Sequence, residues 1–184
     1  SDLWNRDERY YKPESWHGKK YLDGGTLFTQ FSHFLDVMYW VFGEVTNIKS
    51  KFMNFNHSGL TEFDDSGVIT FDFSNGGSGI FSFSTSVWNE NLESSITIIG
   101  ENGTVKVGGQ YMNEVLLCNV KDYKMPMLEE SNKPLDYGGY KGSAANHHYV
   151  FQNIVDVLNN RAPISTNAME GLKVVEIIER FYQS

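Results

Sequence analysis

The densest apolar segment of the chain lies at residues 22–43, and polar side chains interrupt it at regular intervals. Its many leucine and phenylalanine residues predict a buried helix from about residue 24 to residue 43. The polar positions recur at helical spacings, so they are expected to share one face of that helix. They are Thr26, Thr29, Gln30, His33 and Asp36. Because buried polar groups need partners or water, this face is expected to line a wet cleft or a domain interface.

The histidine at the centre of this stripe has two interpretations. In the first, His33 transfers protons, since an imidazole titrates near neutral pH. In the second, the stripe packs against another helix, and Asp36, three residues along the chain, holds the His33 ring. The second interpretation leaves Thr29 and Gln30 without a role.

Strand patterns follow the helix. Short runs rich in β-branched and aromatic residues, separated by tight turns, predict antiparallel hairpins. The predicted strands are 44–55, 66–74, 78–88, 94–100, 104–107 and 114–120. In the third of them, Phe81 and Phe83 alternate with Ser82 and Ser84. The apolar face is expected to receive the helices, whereas the small polar face suits contact with another sheet and hence oligomerisation.

The last third of the chain predicts a long loop and two helices. Residues 121–142 contain two prolines and a glycine-rich segment, which is typical of a functional or mobile loop. A helix capped by Ser143 is predicted to end near residue 159. Another follows Pro163, where Asn167 and Glu170 have the spacing of a capping box. Helix, strands and two helices, in that order, predict an α+β fold.

Composition narrows the classes of function. With 184 residues, of which 40% are hydrophobic, the chain can bury a single core, and one domain over 1–184 is expected. A net charge of -8 disfavours binding to nucleic acid or to an anionic membrane. No apolar run approaches the roughly 20 residues of a membrane span, and the start is unlike a signal peptide. With Cys118 as its single cysteine, the chain is expected in the reducing cytoplasm.

No glycine-rich dinucleotide or phosphate-binding motif occurs in the sequence, and no hydrolase motif does. A metal site is not expected, because His147 and His148 are adjacent and have no third ligand at helical spacing. Asn146 and His147 open a predicted helix, whose free N–H groups can hold a phosphate or carboxylate. Ordinary helix capping explains them equally well.

An aromatic and basic cluster precedes the apolar helix. It suits stacking on a sugar or a base and contact with an anion, or alternatively forms a core patch under a long loop. Its members are Trp4, Arg6, Arg9, Tyr10, Tyr11 and Trp16.

Several motifs resemble the C-terminal domain of the Gfo/Idh/MocA oxidoreductases. Those of the first half are Tyr10-Tyr11, Ser15-Trp16-His17-Gly18, Leu22-Asp23-Gly24-Gly25, Gln30-Phe31-Ser32-His33-Phe34-Leu35-Asp36 and Trp40-Val41-Phe42-Gly43. Segments 142–148, 164–171 and 174–178 are similar to members that act on nucleotide-linked amino sugars and their uronic acids. The resemblance implies a C-terminal domain with an open sheet, preceded in the whole enzyme by a Rossmann domain. That absent domain would bind most of an NAD or NADP cofactor and carry a lysine.

The resemblance also implies roles for individual residues. His33 matches the family histidine beside the sugar and the nicotinamide, and it would share proton transfer with the absent lysine. Thr29 stands where many members have an aspartate, and with Gln30 it would orient the hydroxyl that is oxidised. Candidates for sugar and diphosphate contacts are Tyr11, Trp16, Lys141, Asn146 and His147.

The implied reaction transfers a hydride from a sugar ring carbon to NAD or NADP. The whole protein is expected to be a cytoplasmic homo-oligomer that needs no metal, and the 184 residues alone are expected to be inactive. One alternative is an NAD-dependent glycoside hydrolase of the same fold. Others are a non-catalytic binding or assembly module, and a ligand-binding domain unrelated to the family.

Overall fold

The computed structural model describes residues 1–130, 132–138 and 141–184, with backbone only at Pro134 and at 141–144. The strands are β1 Asp2–Leu3, β2 Val45–Met53, β3 Ser66–Phe73, β4 Ser78–Ser84, β5 Glu93–Ser94, β6 Ile96–Gly100, β7 Gly103–Gly108, β8 Glu114–Val120, β9 Pro134–Asp136 and β10 Lys141–Ala144. The helices are α1 Lys20–Asp23, α2 Thr26–Thr29, α3 Ser32–Phe42, α4 His147–Leu158 and α5 Ala168–Gln183. This order confirms the predicted α+β class.

The main sheet is open and mixed, with the strand order β2-β3-β4-β1-β5. Its hairpins β2–β3 and β3–β4 are antiparallel, as the turn residues predicted. The short β1 pairs in parallel with β4 and antiparallel with β5. Strands β6, β7 and β8 form a separate antiparallel sheet, and β9 pairs with β10.

Helices α3 and α5 cover one face of the main sheet, as predicted. Phe81 and Phe83 are buried, whereas the alternating serines on β4 are half-buried. Phe71 stacks on Phe181 of α5, with ring centroids 5.7 Å apart. The core therefore lies between these helices and the aromatic side chains of β3 and β4.

The predicted continuous helix over 24–43 is wrong, because the segment forms separate helices. Gly24 and Gly25 have φ angles of 77° and 118°, which separate α1 from α2. A second break follows α2, where Phe31 has φ -120° and ψ 4°. At this break, the Gln30 amide is held by Arg6 and Tyr10. These long-range contacts stabilise the break that the apolar pattern does not reveal.

The breaks also separate the predicted polar stripe into different environments. Thr26 is buried and donates a hydrogen bond to the backbone oxygen of Asp64 at 3.4 Å. Gln30 is buried as well. His33 and Asp36, which lie on α3, are exposed.

Some other boundaries differ from prediction. The segment predicted as one loop contains β9 and the first two residues of β10, and Ser143 lies on β10, so Asn146 takes the position before α4. Strand β4 ends at Ser84, because Thr85 turns to bond the backbones of Arg6 and Asp65. The predicted capping box at α5 is confirmed.

Candidate functional site

A cleft of about 330 Å³ lies between the start of α3 and the start of α4. His33, on the first turn of α3, faces Asn146 and His147 across it. The remaining lining residues are Trp4, Phe34, Tyr111 and Val150. The structure thus brings together three predicted site residues from two distant helices.

The His33 ring lies among aromatic rings. Its centroid is 5.9 Å from that of Trp4 and 4.4 Å from that of Phe34. Within the described part of the chain, no side chain hydrogen-bonds the imidazole, and Asp36 does not hold it. The ring nitrogens of His33 are therefore available to a ligand in the cleft.

The surroundings keep His33 neutral. His33 as a residue is exposed, but aromatic rings pack on its imidazole, and this desolvation lowers the pKa of His33 to about 4. The positive charge of Arg6 acts in the same direction. A neutral imidazole has a lone pair that can accept a proton from a substrate hydroxyl.

Arg6 and Gln30 form a buried polar cluster beside this cleft. The Arg6 Cζ atom lies 4.7 Å from the Trp4 ring centroid and 5.3 Å from that of Tyr10. Gln30 Oε1 accepts a hydrogen bond from Arg6 Nε at 2.7 Å, and Gln30 Nε2 donates to Tyr10 Oη at 2.6 Å. Gln30 is 4% exposed, and its contact with substrate stays a prediction.

Thr29 belongs to a second hydrogen-bonded group. Its hydroxyl Oγ1 donates to Asp23 Oδ1 at 2.6 Å, and the other oxygen of that carboxylate accepts from the Gly18 backbone N–H at 2.7 Å. Asp23 is buried and closes α1. Sequence reasoning quoted Asp23 within a motif but assigned it no role, because only the fold shows what it contacts.

Trp16 and Tyr11 lie outside the lining of the His33 cleft. Trp16 is 48% exposed and packs on His17 at 4.0 Å between ring centroids, and His17 packs on Tyr10 at 4.1 Å. Tyr11 is buried beside Tyr10 and His57, and this burial raises the pKa of its hydroxyl. Their contacts with substrate stay predictions.

The start of α4 provides polar atoms on the opposite wall of the cleft. Asn146 Oδ1 accepts a hydrogen bond from Asn132 Nδ2 at 2.7 Å. His148 turns to Tyr149, with ring centroids 4.0 Å apart. Lys141 lies on β10, and its side chain is outside the described residues. Among the residues described, no group of three or more His, Cys, Asp or Glu is arranged to hold a metal ion.

The site residues predicted from the sequence did not include Trp4, Phe34 and Tyr111, which line the cleft. Trp4 was noted only as a member of an aromatic cluster, and Tyr111 follows a glycine pair that predicted nothing more than a turn. Phe34 was assigned to the apolar cover of the helix. No local pattern could have placed Trp4 and Tyr111 beside His33, because they come from separate parts of the chain.

The sequence model of an oxidoreductase family's C-terminal alpha/beta domain matches residues 1–184. The chain belongs to the Gfo/Idh/MocA family of oxidoreductases, as its C-terminal domain. This confirms the resemblance found in the sequence. Family membership also agrees with the open sheet and with the absence of a glycine-rich dinucleotide motif from these 184 residues.

Two solved structures are similar to this chain over almost its whole length. One is the WlbA dehydrogenase from Bordetella pertussis in complex with NADH and UDP-GlcNAcA, at 27% identity and a TM-score of 0.79, covering 99% of this chain and 49% of that one. The other is WlbA from Chromobacterium violaceum with the same ligands, at 26% identity and a TM-score of 0.78, covering 99% and 50%. The chain therefore spans about half the length of these dehydrogenases.

A less similar solved structure shares the fold. A putative oxidoreductase from Thermotoga maritima has 15% identity and a TM-score of 0.71, with 100% of this chain and 50% of that one covered. A comparison with curated protein sequences gives no match. In the described residues, every helix is too short or too polar to cross a membrane.

Proposed function

We propose that the protein is an NAD(P)-dependent sugar oxidoreductase and that this chain supplies its substrate-binding half. The substrate we propose is a nucleotide-linked amino sugar or its uronic acid, oxidised at a ring hydroxyl. Family membership and the similarity to WlbA support this class of substrate. The observation that carries the proposal is a neutral His33 in a cleft with Asn146 and His147.

The residues of the cleft suit this reaction. Trp4 and Phe34 give the cleft an aromatic lining, which suits packing against a sugar or a nicotinamide. A nicotinamide dinucleotide, held mainly by the half of the protein outside these residues, accepts the hydride when bound. His33 accepts the hydroxyl proton as the carbonyl forms, and Thr29, outside the lining of this cleft, orients a substrate hydroxyl.

The start of α4 is suited to an anion. The first N–H groups of a helix have no partner within it, and the helix dipole is positive at this end. Asn146 and His147 add side-chain donors at the same point. We therefore assign the diphosphate of the nucleotide sugar to this end of α4. Local donors must hold the diphosphate, because the chain as a whole carries a net charge of -8 and does not attract anions.

The full-length protein with its N-terminal half tests this proposal. Nicotinamide absorbance is followed with a panel of UDP-sugars and their uronic acids, for wild type, His33→Ala and His148→Ala. We expect reduction with one sugar and a loss of about 100-fold or more in His33→Ala, the range typical of a general base. The matched control His148→Ala removes a ring that faces Tyr149, so it should keep its activity.

The other results separate the alternatives. Release of a free sugar without net cofactor reduction would favour a glycoside hydrolase of the same fold. Failure of the full-length protein to bind cofactor or turn over any sugar would contradict the proposal and favour an assembly module.

A further inference from the structure

The carboxylate of Asp23 is buried and divides its hydrogen bonds between two parts of the chain. It is 4% exposed. One oxygen accepts from Thr29 Oγ1 at 2.6 Å, and the other accepts from the Gly18 N–H at 2.7 Å. Bonds of this length to a carboxylate belong to the stronger class of hydrogen bond. The position of Asp23 therefore determines the positions of both donors.

The first bond determines what Thr29 can offer to a ligand. A hydroxyl has one proton to donate and two lone pairs that accept. The proton of Thr29 points to Asp23, since the other acceptor in reach, the Gly25 carbonyl oxygen, is at 3.4 Å. Only lone pairs of Thr29 remain, so a ligand must itself donate a hydrogen bond there. A sugar hydroxyl can do so, whereas a carbonyl oxygen cannot.

The second bond holds the turn that carries Trp16. Gly18 adopts a φ of 83°, and a Cβ atom there would lie 2.8 Å from the Leu60 carbonyl oxygen. The turn is thus packed tightly on one side and bonded to Asp23 on the other. Trp16, two residues earlier, presents a half-exposed ring. Asp23 therefore couples the placement of this ring to that of Thr29.

We infer that Asp23 is the positioning residue of the substrate site, acting through Thr29 to select sugars that carry a hydroxyl rather than a carbonyl at this point. The inference rests on the proposed function, which places Thr29 against the sugar. Asp23 itself need not touch substrate. Selection of this kind favours departure of the keto product, because oxidation removes a hydrogen-bond donor from the sugar.

A double-mutant cycle in the full-length protein tests the inference. Asp23→Asn replaces one acceptor oxygen with an NH₂ group, which cannot accept from either donor. We expect Asp23→Asn and Thr29→Val each to lower kcat/KM for UDP-GlcNAcA by roughly 10- to 100-fold. The double variant should lose no more than the more affected single variant, since both remove one interaction.

Controls separate this role from a purely structural one. Glu62→Gln changes a carboxylate that also holds α1, through the Lys20 N–H at 2.8 Å, but it does not contact Thr29. We expect it to leave kcat/KM unchanged. Thr29→Ser keeps the hydroxyl and should restore most of the activity that Thr29→Val loses. If Asp23→Asn does not fold, the comparison of Thr29→Ser with Thr29→Val still tests the hydroxyl through which Asp23 acts.

The results that would contradict the role of Asp23 differ from those that would contradict the proposed function. Turnover by wild type with additive losses in the double variant, or equal activity of Thr29→Ser and Thr29→Val, would overturn the role of Asp23 and leave the proposed function standing. Absence of both sugar binding and turnover in wild type would overturn the proposed function, and the role of Asp23 with it.

Discussion

Polar residues of one short segment differ sharply in how their hydrogen bonds are used. Both amide atoms of Gln30 are engaged inside the protein, and the hydroxyl of Thr29 donates inward to Asp23. His33 packs against aromatic rings, and within the described residues no side chain bonds its nitrogens. Gln30 therefore braces the site, Thr29 can only accept a further hydrogen bond, and His33 has both ring nitrogens available to a ligand.

The pH dependence of activity should report on His33. Its pKa is lowered from 6.5 to about 4, so it stays neutral throughout the neutral range. Its contribution to folding stability is complete above pH 6.5 and is lost as the pH falls towards 4, because the unfolded chain protonates more readily. In the full-length protein, we expect the acid limb of kcat/KM to be shifted well below pH 6.5 and to disappear in His33→Ala. A limb that persists in His33→Ala would assign it to another group.

At the scale of elements, a glycine and a buried histidine–aspartate hydrogen bond hold the connections between elements. Gly25, between α1 and α2, has a φ of 118°, and a Cβ atom there would lie 2.5 Å from Tyr182 Oη. In the loop between β2 and β3, His57 Nδ1 lies 3.0 Å from a buried oxygen of Asp65. Neither feature follows from hydrophobic periodicity.

Gly25→Ala should destabilise the fold, because both the backbone angle and the contact with Tyr182 disfavour a side chain. We expect a loss of about 2 kcal/mol or more in the free energy of unfolding. Gly171→Ala is the matched control, since nothing lies within 4 Å of its new Cβ atom and α5 is helical there. It should stabilise by about 0.5–1 kcal/mol. Denaturant unfolding measures both, and equal effects would contradict the packing described at Gly25.

Asp65 should make the fold sensitive to acid. Burial opposes its charge, but hydrogen bonds from His57, Asn56 and Ser66 outweigh burial and hold the pKa of Asp65 well below 3.8. Its stabilising effect is therefore complete above pH 3.8 and is lost as the pH falls through the lowered value.

Replacement of this carboxylate measures its contribution. We expect Asp65→Asn to cost about 2–4 kcal/mol at neutral pH, because its NH₂ group faces backbone donors. Asp64→Asn, at the half-buried neighbouring position, should cost much less. Equal free energies of unfolding for the two variants would refute this account of the loop.

At the scale of the whole molecule, the main sheet leaves one face without helices. Side chains aligned on β2, β3 and β4 are exposed there, namely Lys49, Lys51, Val68, Thr70 and Ile80. Ile80 is 73% exposed. We propose that copies of the protein associate through this face, because an open sheet face with exposed apolar side chains suits face-to-face packing.

Ile80→Asp should therefore dissociate the full-length oligomer, since association would bury an unpaired charge. Size-exclusion chromatography with light scattering gives the mass. Ile99→Asp provides a control of equal chemistry, because Ile99 is 83% exposed but lies on the separate sheet of β6. An unchanged mass for Ile80→Asp, or dissociation of Ile99→Asp alone, would place the interface elsewhere.

The sequence by itself determined the fold class, the hairpins, the alternation on β4 and the capping box of α5. These depend on local periodicity and on residues a few positions apart, which act the same way in any context. The tertiary structure alone decided the break at Gln30, whose partners Tyr10 and Arg6 lie 20 and 24 residues away in the chain. It also decided the meeting of His33 with His147 and the bonds of Asp23. Such contacts depend on how separate elements pack, and no spacing along the chain encodes that packing.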